Sequence, residues 1–431
     1  MINRLSTHTK TICNTINYKQ IGRKTLLFFC LSVLCITKTI SQNKTDSAFN
    51  SLPYIYQLTI EGRPGYIFRI NPFLKGETKT GKPIKHLYST HLKYSYKFQP
   101  NSYVNKIYGG VYQGVGLTHY SINNPDEIGT PIALYLFQGA TIAQLSPRLS
   151  LNYEWNFGLS AGWKPYSEET NPTNRMIGSK LNAYMNTNFY LKQRLSTKFD
   201  LIAGATLTHF SNGNTKYPNA GLNTIDAKVG LIYNLNGQDR KLSALLSYTP
   251  LHINKFPKHI STDVVLFGSW RSKGLIYNGN AMASPDTYHV FGFNVNPMYN
   301  INYNLRFGLS LDGVYDSSAN VYTEDYIVSP GGDNPGYTFY KPAIEKQLAL
   351  GVSARGEYVM PYFTVGLGIG TNLLQGGGDL KGLYQIFALK IEVTRSSFIH
   401  IGYNLQNFRE PNYLMLGIGY RFGNKYPRFY R

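Results

Sequence analysis

Cysteine is nearly missing from this chain: among 431 residues the three present are Cys13, Cys30 and Cys35, all in the leading segment. Downstream of position 35 neither disulfides nor thiolate metal sites are available. Long apolar runs are also missing. No segment approaches 18 uninterrupted apolar residues, which excludes spanning helices. Acidic residues are scarce, 23 against 43 Lys and Arg, giving a formal charge of +20. The positive charges lie in loops and turns without forming a stripe, so nucleic acid is not the expected partner. His86, His91, His252, His259, His289 and His400 are scattered without metal-ligand spacing. No metal or cofactor is expected.

What is abundant points elsewhere. The 36 Tyr, 23 Phe and 41 Gly fit a membrane β-barrel, with aromatics at the interfaces and glycine in crowded walls. A basic region (Lys19, Arg23, Lys24) precedes an apolar run from Leu26 to Ile36 and the small-residue site Thr39-Ile40-Ser41. This reads as a secretory signal over residues 1–41. A short periplasmic segment, 42–52, a barrel over 53–422 and a tail over 423–431 are expected to follow. Bulky Leu34 and Phe29 before Cys35 and Cys30 argue against a lipoprotein anchor.

The strand signal is strict alternation. Leu149, Leu151, Tyr153, Trp155, Phe157, Leu159, Ala161 and Trp163 alternate with Ser150, Asn152, Glu154, Asn156, Gly158, Ser160 and Gly162. Strands are expected at about 53–62, 84–98, 105–119, 131–142, 149–163, 179–193, 197–211, 222–235, 262–272, 287–299, 303–316, 344–357, 360–371, 382–394, 397–405 and 412–422. The fold class is therefore all-β, a single antiparallel transmembrane barrel of about sixteen strands (twelve to sixteen), with no domain linker. Short gaps such as 146–148 and 195–196 read as periplasmic turns, and longer ones such as 164–178 and 318–341 as extracellular loops. The stretch 236–261 reads as a longer periplasmic excursion. Trp155 and Trp163 read as interfacial girdle residues. The last strand ends in Gly417, Gly419, Tyr420 and Phe422, similar to the aromatic-ended final strands of outer-membrane barrels.

One strand carries candidate chemistry. Its odd positions, Phe199, Leu201, Ala203, Ala205 and Leu207, continue into His209 and Ser211. Side chains two apart share a face, so a base and a nucleophile stand on the lipid-facing side. A catalytic pair there suits a substrate that is itself a membrane lipid. Serine needs a neighbouring base, and the imidazole needs an orienting group. Asn212 and the main-chain N–H groups of Gly213 and Asn214 are candidates to receive an oxyanion.

The run His209-Phe210-Ser211-Asn212-Gly213-Asn214-Thr215-Lys216-Tyr217-Pro218-Asn219-Ala220-Gly221-Leu222 resembles the signature of PagL-type lipid A 3-O-deacylases. Larger Bacteroidetes-type relatives labelled acyloxyacyl hydrolases are closer in size, and weaker similarity extends over 131–235. The resemblance implies an outer-membrane serine esterase of Gram-negative bacteria acting on lipopolysaccharide, with Ser211 as nucleophile, His209 as base and Asn212 as oxyanion donor. The family places a glutamate where this chain has Asn223. Asn223 shares the outward phase, and its carbonyl can still accept an imidazole N–H. Asp226 is the nearest acid in sequence, but its even position points it into the lumen. Glu168, Glu169 and Asp126 in neighbouring loops are other sources of charge. Thr118-His119-Tyr120-Ser121 repeats the pattern without the Asn-Gly and Pro-Asn-x-Gly that follow the main site. The alternative reading is a non-catalytic barrel, a channel or surface-binding protein that has lost its catalytic acid.

Overall fold

The computed structural model describes residues 54–99, 102–236, 255–277, 280–323, 339–408 and 410–426. Among these, sixteen long antiparallel strands build the wall, but they close as two barrels of eight rather than as one. The first comprises β1 (Tyr54–Ile67), β2 (His86–Phe98), β3 (Tyr112–Ile122), β4 (Gly129–Ser146), β5 (Leu149–Trp163), β6 (Leu181–Arg194), β7 (Phe199–Ser211) and β8 (Leu222–Asn234). The second comprises β9 (His259–Tyr277), β10 (Asn280–Asn300), β11 (Leu305–Asp316), β14 (Leu348–Val359), β15 (Phe363–Gln375), β16 (Leu383–Glu392), β17 (Ser397–Gln406) and β18 (Glu410–Phe422). A two-residue pair, β12 (Tyr322–Thr323) with β13 (Phe339–Tyr340), lies in the connection after β11.

The expectation of a single barrel is thus corrected. β8 returns to β1, pairing Asn234 with Gln57 and Ile225 with Tyr66. β18 returns to β9, pairing Phe422 with Thr262 and Leu416 with Gly268. Alternation fixes which face each residue takes, whereas closure is a pairing between strands far apart in sequence, which periodicity does not encode. The break in alternation at 236–261 is the connection between barrels. Its residues 237–254 lie outside the described residues, as does the segment read as a signal.

Two local expectations also change. The strand predicted from 105 starts at Tyr112, because Tyr103–Tyr108 form a short helix. Ser102 caps it by accepting the Asn105 N–H at 3.1 Å, and Gly109, in the left-handed region at φ 67°, ends it. Trp163 is no girdle residue. Gly162 adopts φ 94°, the phase of β5 slips there, and the indole turns inward to donate to Ser160 Oγ at 2.9 Å.

Eight strands enclose a lumen just wide enough for side chains to fill, and both interiors are filled. In the first barrel Glu61 is held by Arg63, Lys93 and Lys228 at 2.5, 3.1 and 3.2 Å, and Glu154 accepts from Lys93 and from Tyr112 at 2.6 and 2.8 Å. In the second, Asp263 binds Arg306, Lys390 and Arg421 at 2.8, 2.7 and 2.8 Å. Buried charges are tolerable only when paired in this way. The long-loop end of the first barrel is closed by an apolar cluster in which Phe210, Tyr184, Tyr120 and Trp163 meet Phe73, Leu74, Met176 and Ile177.

The barrels touch along one wall. Tyr153 and Phe157, on the outward face of β5, pack with Phe363, Leu389 and Val365. At the same short-turn end the Tyr103 and Tyr303 hydroxyls hydrogen-bond at 2.6 Å. This stretch of β5 therefore meets protein, whereas outward Leu201, Leu207 and Ile225 on β7 and β8 are exposed.

Candidate active site at the end of the seventh strand

Even-numbered side chains of β7 pack into the first barrel, and odd-numbered ones point out. The β7–β8 register sets His209 directly opposite Asn223. His209 Nδ1 lies 2.6 Å from Asn223 Oδ1. A carbonyl oxygen can only accept, so Nδ1 carries the proton and Nε2 is left with a free lone pair. That is the tautomer a general base requires. Asn223 is held from behind, its main-chain carbonyl accepting the Phe68 N–H at 2.9 Å from the extension of β1.

Ser211 follows two residues on, at the end of β7, 9% exposed. Among the described residues no hydrogen bond joins its hydroxyl to the His209 ring. The two are neighbours along one strand face, where Cα atoms two apart stand about 6.6 Å from each other. Catalytic contacts of this kind commonly tighten only when substrate is bound.

The chain then turns sharply. Asn212 O accepts the Thr215 N–H at 3.3 Å across Gly213 and Asn214, whose φ angles are 64° and 66°. Two consecutive positive φ values define a type I′ turn, which glycine and asparagine accommodate. Asn212 donates its main-chain N–H to Asn219 Oδ1 at 3.0 Å and one amide N–H to Lys216 O at 2.7 Å. Among the described residues the N–H groups of Gly213 and Asn214 have no partner. Of the three candidate oxyanion donors, these two are free.

The later part of the motif supports the site. Asn219 pins the Asn212 N–H. Gly221 has φ 71°, and a Cβ there would lie 3.1 Å from His209 Cε1 and 3.0 Å from Phe210 O. Any side chain at 221 would press on the imidazole.

The other candidates fall apart from the pair. Asp226 is buried inside the barrel, its Oδ2 accepting from Thr206, Thr208 and Thr224 at 3.1, 3.2 and 3.0 Å. Glu168, Glu169 and Asp126 are exposed on loops. Among the described residues His209 has no side-chain partner other than Asn223. His119 and Ser121 also face outward, but the register neighbours of His119 are Thr90 and Ile132, neither an amide nor a carboxylate.

Sequence reasoning missed one contributor. The second barrel reaches the turn through Ser272, Asn412 and Leu414: Asn214 Nδ2 donates to Asn412 O at 2.9 Å, and Ser272 N–H donates to Asn214 O at 3.2 Å. Nothing local in the sequence signals a contact across 198 positions.

Comparison with known proteins divides along the same boundary. Residues 89–231 match the family model described as lipid A 3-O-deacylase (PagL), and residues 260–425 match that described as acyloxyacyl hydrolase, C-terminal domain. No curated protein matches. Solved structures include the outer membrane enzyme PagL, 12% identical over 40% of this chain and 97% of that one, with a TM-score of 0.28. Neisserial surface protein A is 8% identical over 42% and 97%, also with a TM-score of 0.28. Omp33 of Acinetobacter baumannii is 9% identical over 86% and 99%, with a TM-score of 0.16. With its first barrel matching one model and its second the other, the chain belongs to the PagL-type lipid A deacylase and acyloxyacyl hydrolase family.

Proposed function

We propose that the chain is an outer-membrane esterase that removes an ester-linked acyl chain from lipid A, at the outer wall of its first barrel. Ser211 Oγ attacks the ester carbonyl and gives its proton to His209 Nε2. Asn223 Oδ1 holds the imidazolium by its other nitrogen. Charge developing on the carbonyl oxygen is received by the Gly213 and Asn214 N–H groups. His209 then protonates the departing alcohol, and a water activated by the same nitrogen frees the fatty acid and restores Ser211.

The observation that carries this reading is the His209–Asn223 hydrogen bond, set by strand register on the outward wall beside Ser211. Exposed Met185, Leu207 and Ile225 flank it and offer apolar surface to acyl chains. Lys180, Lys216 and Arg175, exposed at the same end, suit the sugar phosphates of lipopolysaccharide. A channel would need an open lumen, and the ion pairs that cross both interiors argue against that alternative.

Mass spectrometry of lipid A from Gram-negative cells with and without the protein tests the proposal. Loss of one acyl chain is expected, abolished by Ser211→Ala and retained in Ser121→Ala. An unchanged lipid A profile in cells carrying the folded protein, or activity surviving in Ser211→Ala, would overturn it.

A further inference from the structure

The second barrel reaches the site in the first from β9 and β18. β17 and β18 are its seventh and eighth strands, as β7 and β8 are in the first. On the outward face of β17, Tyr403 pairs with Leu414 of β18. Residues 403–414 hold no histidine and no serine. Asn412 and Leu414 are engaged instead with the turn that follows Ser211.

That engagement is specific. Asn214 is gripped at both ends, its carbonyl by the Ser272 N–H and its side chain by the Asn412 carbonyl. Ser272 Oγ also donates to Thr215 O at 3.4 Å. Asn412 is itself fixed: its Oδ1 accepts from Arg271, its Nδ2 donates to Asn404 Oδ1 at 3.0 Å, and Arg271 is anchored on Asp316 at 3.2 Å. Leu414 closes over Gly213, where a Cβ would lie 3.2 Å from its nearest methyl group. The two residues so held are those whose N–H groups are unspent.

We propose that the second barrel braces the oxyanion turn of the first, with Arg271, Asn412 and Leu414 as positioning residues. The inference rests on the deacylase reading. Within the first barrel the turn's hydrogen bonds fall on Asn212 and Thr215, and Gly213 and Asn214 between them are held from the second. Seating the turn against a rigid second barrel fixes two donors in advance of the charge they receive, which is where such donors gain their effect.

The test separates the brace from the chemistry. Beyond position 35 the chain has no cysteine, and an ideal Cβ at Gly213 would lie 3.5 Å from Leu414 Cβ, a separation that suits a disulfide. In Gly213→Cys/Leu414→Cys, oxidation in the membrane should cross-link the barrels, read by mass spectrometry of proteolytic fragments; no cross-link would overturn the seat. Arg271→Gln and Leu414→Ala should each lower kcat about tenfold with KM changed less than twofold, a fraction of the 10²–10³ that loss of an oxyanion donor costs. Arg271→Lys should recover part of the loss. If both variants keep full kcat while Ser211→Ala is dead, the brace is wrong and the site reading stands. A change confined to KM would mean that the second barrel binds substrate instead. If Ser211→Ala turns over normally, the site reading falls and the brace with it.

Discussion

Replacing Asn223 by aspartate puts a charge where the structure has a neutral oxygen, with no change in side-chain length. The Asn223 oxygen is 2.6 Å from His209 Nδ1, so a carboxylate oxygen would occupy the same position. A neutral hydrogen bond contributes about 0.5–1.5 kcal/mol net and one to a charged group about 1.5–3 kcal/mol. The difference, about 1–1.5 kcal/mol, applies once His209 becomes imidazolium as Ser211 attacks. It corresponds to roughly a tenfold gain in kcat. A far larger gain, up to about 10⁴, is what restoring a carboxylate yields where an amide has forced the wrong tautomer. That case does not arise here, because the amide oxygen already faces Nδ1. Asn223→Glu should act in the same direction with less gain, since its extra methylene must fit between His209 and the β1 extension. Asn223→Leu, which leaves Nδ1–H without an acceptor, should cost 1–3 kcal/mol, or about ten- to a hundredfold. The assay is release of free fatty acid from lipid A in detergent micelles, measured by mass spectrometry under single-turnover conditions. A thousandfold gain in Asn223→Asp would refute the tautomer argument. Full activity in Asn223→Leu would remove Asn223 from the site.

Three further outcomes can be checked. Gly221→Ala forces a Cβ to within 3.1 Å of His209 Cε1 in a left-handed residue; turnover should fall at least tenfold while the barrel still runs as a folded, heat-modifiable band on gels, and unchanged turnover would mean that the ring is not held there. Asp226→Asn should leave turnover within twofold and shift stability by about 1 kcal/mol at most, since its three hydroxyl partners lie inside the wall; loss of activity would show the β8 register to be wrong. Glu127, in the loop between β3 and β4, is buried, which alone would raise its pKa, but hydrogen bonds from Asn124, Thr173 and the Lys79 N–H bring it below the ordinary carboxylate value. A depressed folded pKa gives stability that is present above the unfolded value and lost as pH falls through the folded one, so hydrogen exchange in the loops it joins should rise in acid, and Glu127→Gln should flatten that dependence.

The sequence made the strands and their faces legible because a half-buried strand writes its environment into every second residue. Leu201 to Leu207 outward and Thr206 to Phe210 inward follow directly from that period. The common face of the candidate residues was legible for the same reason: His209, Ser211 and Asn223 are all odd, and the β7–β8 pairing sets two of them opposite each other. Where backbone conformation breaks the period, the reading fails locally, as at Gly162 and Trp163. Where the needed fact is a partner, it fails globally. Nothing in β8 says that it pairs with β1 rather than with β9, since both offer an alternating strand.

The two-barrel closure and the composition of the site are one problem. A single sixteen-stranded wall would leave the turn after Ser211 facing lipid and water alone, and its freed N–H groups would be set by the loop's own contacts. Closure after eight strands returns β8 to β1, brings Phe68 behind Asn223, and leaves room for a second barrel whose eighth strand reaches Gly213 and Asn214. The Asn212 reading illustrates the consequence. By residue type, Asn212 is the natural oxyanion donor of the motif. Its amide is instead turned to the Lys216 carbonyl, and its main-chain N–H to Asn219. In the proposed reading the role falls to the Gly213 and Asn214 N–H groups, which the sequence offered beside Asn212 without saying what would hold them. The residues that touch them lie about 60 and 200 positions away, so on the proposed reading the chemistry of the first barrel is set partly by the packing of the second.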